Sequence, residues 1–175
     1  MRVRSPRSVV DEIKQVVERF GTRHFYIVDD VMTLWKDHIL EICDLIDQEG
    51  LKITFEGSTR ANLVEDEVMA RLVRSGLIRL SFGLETVDPE IRRTMKKQVP
   101  LEHYVRANGI CNKYGVAALN SVMIGLPGET RDTVRATLRF LRNAREVKQA
   151  NFAIAVPYPG TEFHELAVKG DKGVK

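Results

Sequence analysis

Five short apolar runs constrain this chain more than any other feature: "HFYIV" at 24, "LKITFE" at 51, "IRLSFG" at 78, "VAALNSVMIG" at 116 and "NFAIAV" at 151. They start 27, 27, 38 and 35 residues apart, and each gap holds a segment with helical periodicity. Strands joined through a crossover helix run parallel, with right-handed connections. Apolar runs rather than strict alternation suit strands covered by helices on one face and by a packed interior on the other. The pattern predicts an α/β fold, a partial (β/α) TIM-like barrel of about five parallel strands. A doubly wound sheet shares the alternation, but no glycine fingerprint follows the first strand, and the regular order favours the barrel.

Helix signals fill the gaps. Ser5 is placed to cap a helix with Pro6 at its first position, and Val9, Ile13, Val16, Val17 and Phe20 form one stripe before Gly21. Further helices are expected over residues 35–48, 65–76, 88–96, 101–114 and 130–144, with strands at 24–28, 51–56, 78–83, 116–125 and 151–156. "PYPGTE" reads as a turn and residues 167–175 as a frayed tail, leaving 1–166 as the folded core.

At 175 residues the chain is long enough for one domain with a full core. Its net charge of +3 is dispersed among acidic residues, so composition does not call for a nucleic-acid partner. Cys43 and Cys111 lie 68 positions apart in helical patterns, which suits small apolar core residues in a reducing cytoplasm better than a disulfide or a metal cluster. No apolar run reaches the roughly 18 residues of a membrane span, and no membrane partner is expected.

In βα barrels the working face is the C-terminal end of the strands. By these boundaries that end collects Asp29 and Asp30, then Glu56 with Ser58, Thr59, Arg60 and Asn62, then Glu85, then Asn120, Ser121 and "GLPGET", then "PYPGT". Each has a plainer role on its own. Asp after a strand is a common turn residue, Asp88 before Pro89 is a helix cap, and Thr130 can cap the next helix without help from Glu129. Together they are better explained by one ligand that combines hydroxyls, an amine or a carboxylate with a flat apolar portion.

In order, "RVRSPRSVVDEI", "FYIVDDVMTL", "EGSTRAN", "RLSFGLETVDPEIRRTM", "VMIGLPGET" and "PYPGTEF" resemble the radical S-adenosylmethionine (SAM) enzymes, over about residues 2 to 166. The resemblance is nearest to the subgroup that often carries an N-terminal cobalamin-binding domain. It implies a partial six-stranded βα barrel, of which this chain looks like strands two to six. "SVMIGLPGE" is similar to the stretch that runs along the adenine of SAM, implicating Ser121, Ile124 and Gly125, although Ser121 replaces a frequent glycine. Asp29 and Asp30 stand where relatives hold the SAM amino group with two glycines and a glutamate. Glu56 and Glu85 fall at polar contacts to the ribose and methionine portions, Lys97 where some relatives place an arginine for the carboxylate, and Pro157 where the last strand closes over the adenine.

The family's chemistry needs a [4Fe-4S] cluster on a CxxxCxxC triplet after its first strand, and this sequence has two cysteines and no such triplet. The resemblance therefore implies a SAM-binding core whose cluster, first strand and, in the subgroup, cobalamin belong to a longer protein. Alone it is expected neither to hold a cluster nor to cleave SAM. The substrate is left open, small or macromolecular, and an unpaired sheet edge implies homodimer formation. Two other readings fit the residues: a barrel enzyme binding Mg²⁺ or Mn²⁺ through Asp29, Asp30, Glu56 and Glu85, and a degenerate barrel binding RNA or protein through its basic surface.

Overall fold

The structure, a computed structural model, describes residues 3–169. Five strands, β1 (His24–Ile27), β2 (Thr54–Thr59), β3 (Leu77–Glu85), β4 (Ala117–Ile124) and β5 (Gln149–Ile154), form one all-parallel sheet in the order β1-β2-β3-β4-β5. The helices are α1 (Pro6–Phe20), α2 (Lys36–Gln48), α3 (Asp66–Arg74), α4 (Pro89–Thr94), α5 (Leu101–Lys113), α6 (Arg131–Asn143) and α7 (Glu162–Lys169). Each successive strand is a neighbour of the last, the order of consecutive βα units in a barrel and not of a doubly wound sheet. The sheet does not close, so β1 and β5 are both edge strands.

The local signals act as expected at several helix starts. The Ser5 hydroxyl accepts from Ser8 N at 3.2 Å with Pro6 at the first position. Asp88 Oδ1 accepts from Glu90 N and Ile91 N at 3.0 Å ahead of α4. Thr130 and Thr133 cap each other reciprocally at the start of α6. Each such cap stabilises its helix by about 1 kcal/mol.

Alternate residues of the central strands face the helices. Phe55, Leu80, Phe82, Leu84 and Val122 are buried, and pack in one cluster with Ile39, Ile46, Met69, Leu72, Tyr104 and Ala107. Fully burying side chains of this size contributes roughly 1.5–3 kcal/mol each. Cys43 and Cys111 are part of the same core, as their placement in helical patterns suggested. The other face of the sheet is polar: His24, Thr54, Glu56, Ser58, Arg79, Ser81 and Ser121 alternate with the buried set and remain half-buried or exposed.

The departures from the sequence reading that matter for the site fall in β2, β3 and the C-terminal segment. Strand β2 starts at Thr54 rather than 51, because Leu51 N donates to Ile46 O and closes α2, and Ile53 goes into the core. It then runs on through "GST", where glycine and polar residues read as a turn. Gly57 is accommodated because a Cβ there would meet Met32 Sδ at 3.0 Å, and Met32 N donates to Ser58 O at 2.8 Å. Glu56 is therefore a mid-strand residue, not a strand end. Strand β3 extends to Glu85 and carries two bulges, with Ile78 and Leu84 the extra residues against β2 and β4. Helix α7 begins after "PYPGT", with Thr161 Oγ1 accepting from His164 N at 3.1 Å. It includes residues 167–169 of the expected tail, while 170–175 lie outside the described residues.

One buried polar pair ties the helix layer to the sheet. Asn108 on α5 and Asn120 on β4, both with no exposed surface, exchange amide hydrogen bonds of 3.0 and 2.9 Å. Their remaining donors reach Tyr104 O at 2.8 Å and Gln149 O at 3.1 Å, so the pair also anchors β5. Replacing Asn120 by Ala strands these partners in the core and should lower the unfolding free energy by about 2–4 kcal/mol. In urea titrations, the combined Asn108→Leu and Asn120→Leu change should cost less than the two single changes added, because it leaves no unsatisfied amide.

Candidate functional site

A cleft of about 530 Å³ opens over the C-terminal halves of β2, β3 and β4, within the roughly 300–1,000 Å³ typical of small-molecule sites. Its polar lining includes Asp30, Ser58, Ser81, Glu85, Lys97 and Ser121. Ser58, Ser81 and Ser121 lie on the uncovered face of three adjacent strands. Glu85 and Lys97 face each other, Nζ to Oε1 3.4 Å apart, with side chains 18% and 26% exposed.

Glycine at position 83 makes room for that pair. A Cβ on Gly83 would lie 2.4 Å from Glu85 Oε1 and 2.9 Å from Lys97 Nζ, so the Glu85 side chain folds back over the bare backbone of its own strand. Two unusual backbone conformations present the pair. Glu85 has φ 65° and Lys96 φ 56°, the only non-glycine residues with positive φ among those described. Glu85 follows the Leu84 bulge, a device that re-aims side chains at sheet ends. Lys96 occupies the left-handed position of a helix-ending Schellman turn, with Lys96 N donating to Arg93 O at 3.0 Å and Lys97 N to Arg92 O at 2.8 Å. Glycine usually fills that position, and a lysine there costs on the order of 1 kcal/mol. Strain of this kind concentrates at functional sites.

Of the nine residues that the resemblance implicates, the cleft brings together four, Asp30, Glu85, Lys97 and Ser121, and it is also lined by Ser58, Thr59 and Arg60 from the strand-end set. The Asp30 carboxylate has no hydrogen-bond partner among the described residues and is exposed. Five others lie outside its lining. Asp29 accepts from Val31 N at 3.1 Å in a turn, the plainer of its two roles. Glu56, one residue pair below Ser58, has both oxygens engaged, with His24 Nε2 at 3.1 Å and Arg79 Nη1 at 3.0 Å. Ile124 faces α6 and lines a separate small cavity with Val134, Leu138 and Phe152, and its carbonyl accepts from Ala155 N at 2.8 Å. Gly125, φ 90°, donates its N–H to Glu129 Oε2 at 2.6 Å, closing the "GLPGE" loop on its own carboxylate. Pro157 O accepts from His164 Nδ1 at 3.1 Å.

The alternative reading, a Mg²⁺ or Mn²⁺ site through Asp29, Asp30, Glu56 and Glu85, finds no assembled ligand set among the described residues. Two of those carboxylates are committed elsewhere, and among the described residues no group of three or more His, Cys, Asp or Glu could hold a metal ion. The cysteines do not fit an iron–sulfur cluster either. Burial pushes the Cys43 thiol up, and that of Cys111 up to about 12, which disfavours the thiolate a cluster needs.

Sequence reasoning passed over Ser81, Gly83, Tyr104 and Lys96. A lone serine or glycine in an apolar run, as in "RLSFG", was the available signal for the first two. If Lys96 is held left-handed for the site rather than for the fold, Lys96→Gly should raise stability by about 0.5–1 kcal/mol in urea titration, despite loss of its exposed 3.4 Å contact to Glu162.

The sequence pattern of the Radical SAM superfamily matches residues 1–141. An uncharacterized methyltransferase of Pyrococcus horikoshii is 33% identical over 95% of this chain, which spans 36% of that relative. The anaerobic magnesium-protoporphyrin IX monomethyl ester cyclase of Rubrivivax gelatinosus is 29% identical over 98% of this chain and 31% of its own length. This chain thus spans about a third of the length of the curated relatives it matches. Among solved structures, the radical S-adenosylmethionine methyltransferase TsrM from Kitasatospora setae, with cobalamin and a [4Fe-4S] cluster bound, superposes with a TM-score of 0.81 at 20% identity. That superposition covers 95% of this chain and 32% of the other. The chain belongs to the Radical SAM superfamily.

Proposed function

We propose that this chain is the SAM-binding core of a radical SAM enzyme, working with cluster ligands supplied from outside these residues. The observation that carries the reading is the Glu85–Lys97 pair, presented into a cleft of suitable size from two left-handed residues over a bare glycine. The donor set suits SAM. Lys97 offers a cation to its carboxylate and Asp30 a free carboxylate to its ammonium. Glu85, Ser58, Ser81 and Ser121 offer hydrogen bonds to ribose and adenine edges. Gly125 has nothing within 4 Å of a would-be Cβ, so an adenine can approach its backbone.

The cluster segment has a place to dock. Beside β1 an apolar groove of about 670 Å³ is lined by Val9, Ile13, Val16, Tyr26, Val28 and Met32, and Val28 is 89% exposed. A strand added parallel to β1 would cover this groove and pair the free edge. The chemistry such a cluster supplies is one electron, for cleavage of SAM to methionine and a 5′-deoxyadenosyl radical. The methyltransferases named among the relatives support methyl transfer as the reaction class of the longer protein.

The test is titration calorimetry of this chain with SAM, alongside thermal shift with Mg²⁺. One molecule of SAM should bind, Lys97→Met should weaken it by about tenfold or more, the scale of one hydrogen bond to a charged group, and Mg²⁺ should have no effect. Absence of SAM binding, or binding that ignores Lys97→Met, would count against this reading. In a second measurement, thiol reagents at pH 8.5 should leave Cys43 and Cys111 unmodified in the folded protein and modify both in urea. Reconstitution with iron and sulfide should likewise yield no cluster and no 5′-deoxyadenosine from this chain alone.

A further inference from the structure

Arg92 is the one charged side chain buried among the described residues, at 8% exposure. A buried cation is ordinarily paired with a carboxylate. Arg92 is held by carbonyls instead. Its Nη1 donates to Leu84 O at 3.2 Å and Thr86 O at 2.9 Å, and its Nη2 donates to Val99 O. The guanidinium lies over the Tyr104 ring, 5.8 Å from the centroid, and Tyr104 Oη donates to Gly83 O at 2.8 Å. Two side chains thus grip the carbonyls of residues 83, 84, 86 and 99.

Those carbonyls bracket the cleft's charged pair. Gly83, Leu84 and Thr86 surround Glu85, and Val99 follows Lys97 by two residues. Glu85 and Lys96 are the two strained non-glycine residues, and such conformations persist only where their surroundings over-determine them. A planar fork of fixed donors can hold three divergent carbonyls at once, which an ammonium on a flexible stem does poorly. Because no carboxylate among the described residues pairs with it, the Arg92 charge also adds to the positive field behind a cleft that already presents Lys97.

We propose that Arg92, seated on Tyr104, is the positioning residue that fixes Glu85 and Lys97 in the cleft and sets its preference for an adenosyl ligand carrying a free amino-acid carboxylate. The specificity part rests on the SAM-binding reading; the clamp itself does not. The role acts through Lys97, so the two residues should be coupled.

The experiment compares S-adenosylhomocysteine with 5′-methylthioadenosine, thioethers that differ by the amino-acid portion, on the chain and on the variants R92M, R92K, Y104F, K97M and R92M/K97M. The unsubstituted chain should prefer S-adenosylhomocysteine. The preference should fall by about tenfold in K97M and in R92M, fall no further in the double variant, and recover in part in R92K. If R92M does not fold, R92K and Y104F carry the comparison, with smaller losses of the same preference. Equal weakening of both ligands, or full additivity in the double variant, overturns the proposal, since a merely structural arginine predicts both. If the unsubstituted chain binds neither ligand, the SAM reading fails, and the clamp is read by amide hydrogen exchange. Arg92 substitution should then speed exchange at residues 84–86 and 97–99 more than an equally destabilising Leu72→Ala; equal exchange overturns the clamp as well.

Discussion

Strand β3 does two opposed jobs on its two faces, and the rest of the molecule is arranged around that division. On the helix side Leu80, Phe82 and Leu84 are almost wholly buried, which makes this central strand the seam of the core. On the other side Arg79, Ser81, Gly83 and Glu85 form a polar track that ends in the cleft. A strand can carry both because its side chains alternate. Its two bulges lengthen it against its neighbours, so that its last residues run past the end of β2 while Glu85 still pairs with Val122 and turns its carboxylate back over the sheet. The apolar face supplies the rigidity; the polar face uses it.

The uncovered face also explains the fate of Glu56. A carboxylate in the lower part of a sheet is tolerated when its oxygens are satisfied, and His24 and Arg79 from the flanking strands do that. The result is a charged row that is balanced within itself. One residue pair higher the lining changes to serines, whose small hydroxyls leave space, and above them to Glu85 and Lys97, whose 3.4 Å separation is loose for an ion pair. Polarity is spent on structure at the bottom of the sheet and left available at the top.

The elements were legible in the sequence wherever one physical cause acted alone. Apolar runs at βα spacing gave the parallel sheet, and Ser5 with Pro6, Asp88 with Pro89, and Thr130 marked helix starts that the structure confirms. Legibility failed where two causes competed. "EGST" has turn composition, yet Gly57 is in a strand because Met32 fills the space a side chain would need. That shift displaced Glu56 from the strand end and removed it from the cleft. Helix α7 was hidden by the prolines before it and is announced only by Thr161. The cleft was half-legible: Asp30, Glu85, Lys97 and Ser121 stand out as polar residues near strand ends, whereas Ser81 and Gly83 inside an apolar run do not.

What composition cannot reveal at all is backbone strain, and here strain and burial explain each other. Arg92 reads as one more cation in a basic helix end, indistinguishable in sequence from Arg93, whose guanidinium pairs with Glu90 on the exposed surface. Only the fold separates them, by turning one arginine inward to meet the carbonyls around a left-handed Glu85 and below a left-handed Lys96. A buried guanidinium without a counter-ion and two non-glycine residues in the left-handed region are each unfavourable alone. In contact they become one arrangement, because the donors that the buried cation must satisfy are met by the carbonyls that the strained backbone exposes. That mutual dependence ties the end of β3, α4 and the turn that follows it, from Gly83 to Val99, into one bracket. It also ties the shape of the cleft to a buried arginine behind its lining as well as to the lining itself.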